Sequence, residues 1–77
     1  MKANAKKYIQ LDSQIFRNRQ KVDFFESGQF YNLTMRDLYR RKENDFIEKK
    51  QKIENILTQQ EKEQIENYYQ IGQMFDY

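Results

Sequence analysis

No proline interrupts this chain, and its only glycines are Gly28 and Gly72. Those two residue types are the usual reason a helix ends, so helices here can run for many turns between breaks. Strand-like alternation of apolar and polar residues is absent, and apolar residues recur at helical spacing instead. In the first third, Tyr8, Leu11, Ile15, Val22 and Phe25 form such a stripe, interrupted by the polar run RNRQK, and predict a helix over residues 4–25. The segment ESGQFYN then breaks it, with Gly28 suited to a helix C-terminus or a turn.

A second helix start follows in NLTMRDL. Thr34 is placed to cap free backbone amides, Asp37 sits where a carboxylate meets the helix dipole, and Leu33 and Leu38 occupy the staple positions on either side. From Met35 onward, Leu38, Tyr39, Phe46, Ile53 and Leu57 fall on one narrow stripe flanked by Ile47 and Ile56, with Lys42 where the stripe would continue. Asp45–Lys49, Glu48–Lys52 and Lys50–Glu54 have the spacing of helix-stabilising ion pairs. Thr58 and Glu61 form a further start signal, at which the helix either bends or runs straight through, and the helix is expected to end near Gly72. A stripe this thin suits one side of a partner and does not fill a globular core. The expected fold class is therefore all-α: an extended, non-globular protein of two or three helices, one long central helix among them, ordered by its partners. Residues 1–29 form a basic helical arm and turn, and residues 30–77 a charged amphipathic helix with an aromatic C-terminal hook.

Composition narrows the function classes. A chain of 77 residues with 38% hydrophobic residues and a mean hydropathy of −1.17 makes a marginal domain, and such domains usually rely on disulfides, metals or partners. Cysteine and histidine are both absent, which removes disulfides, thiol nucleophiles, most zinc sites and the commonest general base. With no glycine-rich phosphate loop either, an enzyme is not expected and no cofactor is implied. The lysine-containing start lacks the apolar core of a secretory signal, and no run approaches a membrane span, so the expectation is a soluble intracellular protein. Formal net charge is +2, but residues 1–22 hold six cations (Lys2, Lys6, Lys7, Arg17, Arg19, Lys21) against Asp12 alone. That arm could meet an anionic protein surface or a nucleic-acid backbone, though no nucleic-acid motif accompanies it.

The C-terminus carries the sharpest signal. IENYYQIGQMFDY is a dense apolar run where a fraying, solvated end is normal. Tyr68, Tyr69, Ile71, Met74 and Phe75, with Gly72 for close approach, read as a docking hook, since aromatic side chains supply large contact area at modest entropic cost. Leu38, Tyr39, Phe46, Ile53, Leu57 and Ile65 would extend this partner-binding face along the helix. Over residues 30–75, the Met35-Arg36-Asp37 start, the single long helix, the acidic Gln/Glu stretch, the pair Tyr68-Tyr69 and the Gly72-to-Phe75 finish resemble the small coiled-coil proteins inside ciliary doublet microtubules. That resemblance implies a structural microtubule inner protein of the axoneme, bound to tubulin and neighbouring inner proteins. Leu38-Tyr39-Arg40 also resembles the signature of the mitochondrial LYR-motif proteins, which implies the alternative, an accessory subunit of a respiratory complex.

Overall fold

The computed structural model describes the backbone of residues 1–75 and the side chains of residues 1–71. Helix α1 spans Ala3–Glu26, a short 3-10 turn spans Gly28–Phe30, α2 spans Leu33–Glu54 and α3 spans Gln59–Phe75. The three helices run up, down and up, and the fold is all-α and extended. Its dimensions are 44 × 32 × 13 Å, so its thickness is roughly that of one helix. The radius of gyration is 15.0 Å, against about 11.5 Å for a compact domain of this length.

The turn between α1 and α2 is set by Gly28, whose φ of +82° lies in the left-handed region. A Cβ there would meet nothing within 4 Å, so the need for glycine is conformational and not steric. The Asn32 N–H donates to the Phe25 carbonyl at 2.9 Å and closes the loop. Asn32, and not Thr34, caps α2: its side-chain oxygen accepts from the Met35 N–H at 3.1 Å. The helix therefore begins two residues earlier than the Thr34 signal predicts, and Leu33 and Leu38 do not form a covered staple, being 41% and 43% exposed.

The α2 stripe faces α1, so the pair forms an antiparallel hairpin with a seam of its own. On α1 the seam is Tyr8, Leu11, Ile15, Asn18, Val22 and Phe25, in steps of three and four. On α2 the inward residues are Arg36, Tyr39, Glu43, Phe46, Lys50 and Ile53, again in steps of three and four, the spacing of a coiled coil, and Leu57 just past the helix continues the spacing. The stripe does not break at Lys42; it passes through Glu43 beside it. Asn18, 9% exposed, satisfies its amide within its own helix by donating to the Gln14 carbonyl at 2.9 Å. At the loop end, Phe30 stacks on Phe24 at 4.8 Å, Phe24 meets Phe25 edge-on at 4.9 Å, and Phe25 stacks on Tyr39 at 5.8 Å. This chain of rings ties the turn to the seam.

At the other end the chain breaks at Asn55 and Ile56, and Thr58 starts a separate helix. The Glu61 N–H donates to Thr58 Oγ1 at 3.2 Å while the Thr58 N–H donates to a Glu61 carboxylate oxygen at 3.0 Å, a complete capping box. Glu61 is 4% exposed. The Thr58 backbone bond, working against desolvation and aided by the Thr58 hydroxyl and the Lys2 charge, holds its carboxyl below the usual range. Gly72 does not end α3, which continues to Phe75. Near its start α3 crosses α1, where Ile65 packs on Ala5 and Ile9 with Tyr8, Leu57 and Tyr69 around them.

Candidate interaction surface

Three charged residues lie on the α2 seam seven apart, Arg36, Glu43 and Lys50, and each meets an opposite charge on α1. Lys50 reaches Asp12 at 2.7 Å, Arg19 reaches Glu43 at 2.9 Å, and Arg36, held at 3.0 Å by Asp37 of its own helix, lies 4.0 Å from Glu26, with Arg40 at 3.6 Å from the same carboxylate. The α1 members, Asp12, Arg19 and Glu26, are also seven apart. Signs alternate along both helices, so a slip of one heptad puts Asp12 opposite Glu43 and Arg19 opposite Arg36, or Arg19 opposite Lys50 and Glu26 opposite Glu43. Each pair keeps at least one partner open to solvent and contributes only about 0.2–1 kcal/mol. Their larger effect is to penalise the wrong registers, a use of charge well known at coiled-coil flanks. The local pairs Asp45–Lys49, Glu48–Lys52 and Lys50–Glu54 are not among the salt bridges of the described residues, and in the last of them Lys50 crosses to Asp12 on α1 instead.

Where α3 meets the hairpin, the polar contacts converge on Asp12. Its carboxylate accepts from Lys50 Nζ and from the Tyr69 hydroxyl. Burial raises the Asp12 pKa, but the bonds from Lys50 and Tyr69 and the charges of Lys50 and Arg19 outweigh it and leave the carboxyl below its ordinary range. Burial lowers that of Lys50, and here the hydrogen bond and charge of Asp12 prevail and raise it. Burial and Asp12 together push the Tyr69 hydroxyl well above an ordinary tyrosine. The Lys2 N–H adds a 2.9 Å bond to the Gln64 side-chain oxygen.

The expected partner-binding residues therefore divide. Tyr39, Phe46, Ile53, Leu57, Ile65 and Tyr69 turn inward onto the hairpin seam or the α1–α3 crossing. Tyr39 lies beneath Lys21 and Lys42, 4.7 and 5.2 Å from its ring centre, and Phe46 beneath Lys49 at 5.5 Å. Leu38, Tyr68 and Ile71 remain exposed, at 43%, 49% and 55%. The side chains of Gly72, Met74 and Phe75 lie outside the described residues. Exposed apolar residues outside the expected set include Ile56 and Leu33 and four aromatics, Phe16, Phe24, Phe30 and Tyr31, each of the four half exposed or nearly so. Phe30 and Tyr31 lie in the loop and Phe24 stacks on Phe30 beside it, where ESGQFYN reads as a break before it reads as a surface.

Total accessible surface is 6145 Å². A compact monomer of 9.6 kDa would expose about 5,100 Å². The excess of about 1,000 Å² is comparable to one side of a standard protein–protein interface, about 800 Å². Among the described residues no group of acidic, histidine or cysteine side chains is arranged to hold a metal ion, and no helix is long and apolar enough to cross a membrane. Comparison with protein-family models, with curated proteins and with solved structures returned no match.

Proposed function

We propose that this chain is a non-catalytic structural protein of the ciliary axonemal doublet, lying against the luminal tubulin wall and neighbouring inner proteins and stabilising the lattice. The observation that carries the reading is the single-layer shape with its surplus of exposed surface. A plate one helix thick can touch neighbours on both broad faces, and its apolar side chains at Phe24, Phe30, Leu38, Tyr68 and Ile71 supply contact area. The resemblance of residues 30–75 to the small ciliary inner proteins, cilia- and flagella-associated protein 141 among them, supplies the location. The separate helix start at Thr58 qualifies that likeness, because the long helix on which it rests is here two helices.

The test is localisation of a copy tagged at its N-terminus in a ciliated cell. The expected result is signal along the axoneme that survives detergent and moderate salt. Signal in mitochondria would overturn the reading and turn attention to Leu38-Tyr39-Arg40.

A further inference from the structure

The two sides of α3 differ in charge. On one side the hollow against the hairpin is lined by Tyr8, Glu54, Leu57, Lys62, Ile65 and Glu66, with both signs present. On the other, α3 and α1 diverge to leave an open groove of about 530 Å³. Its described lining contains Lys7 and Arg17, the amides Gln10 and Gln14, the apolar Ile9 and Leu11, and Tyr68, with no carboxylate among them. The groove continues past Met1 and Lys6 through the shared residues Ile9, Gln10 and Tyr68. Of the anions of α1, Asp12 is engaged by Lys50 and Tyr69 and Glu26 by Arg36 and Arg40, while Asp23 lies outside the groove lining, six residues beyond Arg17. No carboxylate of the described residues pairs with Lys6, Lys7 or Arg17.

We infer that this groove is a docking site for an acidic amphipathic helix of a partner protein. The inference rests on reading the chain as a member of a larger assembly and names the chemistry of one neighbour. Lys7 and Arg17 are ten residues apart on one helix, about 15 Å, with amides and apolar surface between them. A matching segment carries a carboxylate near each end of that span and a few apolar residues between, to meet Tyr68, the exposed apolar group of the groove, Ile9 and Leu11 being largely buried beneath it. Charge complementarity then fixes orientation while the aromatic contact supplies area. A nucleic-acid strand fits less well: it offers a charge every ~3.4 Å of its length, whereas the cations here stand at the two ends of an uncharged stretch. A second copy that presented this same groove fits less well too, because Lys6, Lys7 and Arg17 would then face like charges.

Fluorescence anisotropy with the purified full chain tests this. The probe is a labelled 18-residue helical peptide with glutamates ten residues apart flanking leucines, set against a scrambled peptide of the same composition and an 18-nucleotide oligothymidylate. The ordered peptide is expected to bind at least tenfold more tightly than either control. The Lys7→Glu/Arg17→Glu double variant is expected to lose at least tenfold, while Lys52→Glu, on the exposed face of α2, leaves binding unchanged. Both exchanged positions are exposed, and far-UV circular dichroism verifies that the fold is retained. Equal binding of the scrambled peptide, tighter binding of the oligonucleotide, no binding, or insensitivity to the double charge reversal would each overturn the inference. Such a failure leaves axonemal localisation standing, and a mislocalised chain leaves the groove chemistry standing, so the two proposals fail separately.

Discussion

The hairpin of α1 and α2 and the crossing of α1 and α3 are held in different ways. The hairpin seam repeats the same device along its length: an apolar or aromatic step, then a charged step whose sign matches only one register. The crossing concentrates its hold on one apolar contact at Ile65, one bond from Tyr69 to Asp12 and one bond from Lys2 to Gln64. A distributed seam loses little when one contact fails, whereas a concentrated one opens as a unit. The hairpin should therefore be the more persistent element and α3 the part that opens first, in the sense of local unfolding units.

The largest expected effect is at the crossing. Ile65 is 8% exposed in a small cluster, and Ile65→Ala should cost about 2–3 kcal/mol. In amide hydrogen exchange, protection should fall across α3 while residues 8–25 and 39–53 keep theirs. Equal loss across all three helices would break the distinction between the two regions.

Next is the register code. Glu43→Lys removes the pair with Arg19 and sets two cations together, for a loss of about 1 kcal/mol or somewhat more. Adding Arg19→Glu restores an opposite pair with the signs inverted at that step, so the double variant should recover most of the loss in a chemical-denaturation cycle. Recovery by Arg19→Glu but not by Asp12→Lys would sharpen the assignment, since Asp12 faces Lys50 and not residue 43.

The smallest effect is on pH dependence, because Asp12 keeps a side chain 37% exposed and solvent screens its partners. Its depressed pKa means that the stability it adds is present above the ordinary aspartate value of about 3.9 and is lost as pH falls through the folded-state pKa. Tyr69 has a raised pKa, so its contribution is present below about pH 10 and lost as pH rises toward the folded-state value. The α3 resonances in an NMR titration should thus hold steady across neutral pH and shift toward the undocked helix at both extremes. Tyr69→Phe should weaken the response at both ends; unchanged flanks would show that α3 does not depend on that bond.

Much of this was legible in the sequence, for reasons tied to particular residues. The helix expected over residues 4–25 matches α1 to within a residue at each end, and Gly28 marks the turn because its backbone conformation excludes most other residues. Thr58 and Glu61 signal a possible start of α3 because a capping box is a local device, but the sequence leaves open whether the helix bends there or runs through, and the completed pair of bonds decides it. The cap of α2 was misplaced because Asn32 and Thr34 both carry suitable oxygens, and the bond to the Met35 N–H chooses between them only once the loop is folded. The partner of the α2 stripe was missed for a different reason. An apolar count treats Arg36, Glu43 and Lys50 as interruptions, whereas their sevenfold spacing and alternating sign, mirrored by Asp12, Arg19 and Glu26, are the signature of antiparallel pairing. In the groove, Lys7, Arg17 and Tyr68 lie up to 61 positions apart in the chain, and no local pattern connects them.

The 13 Å thickness has a mechanical consequence. Resistance to bending falls steeply as a slab is thinned, while resistance to stretching within its plane falls only in proportion. A layer one helix deep therefore flexes easily out of its plane, about the lines where neighbouring helices meet, yet strains little along the helix axes. Such a body moulds to a curved support without unfolding and passes tension lengthwise, behaving as a pliant shim where a rounder protein of the same mass would act as a rigid wedge.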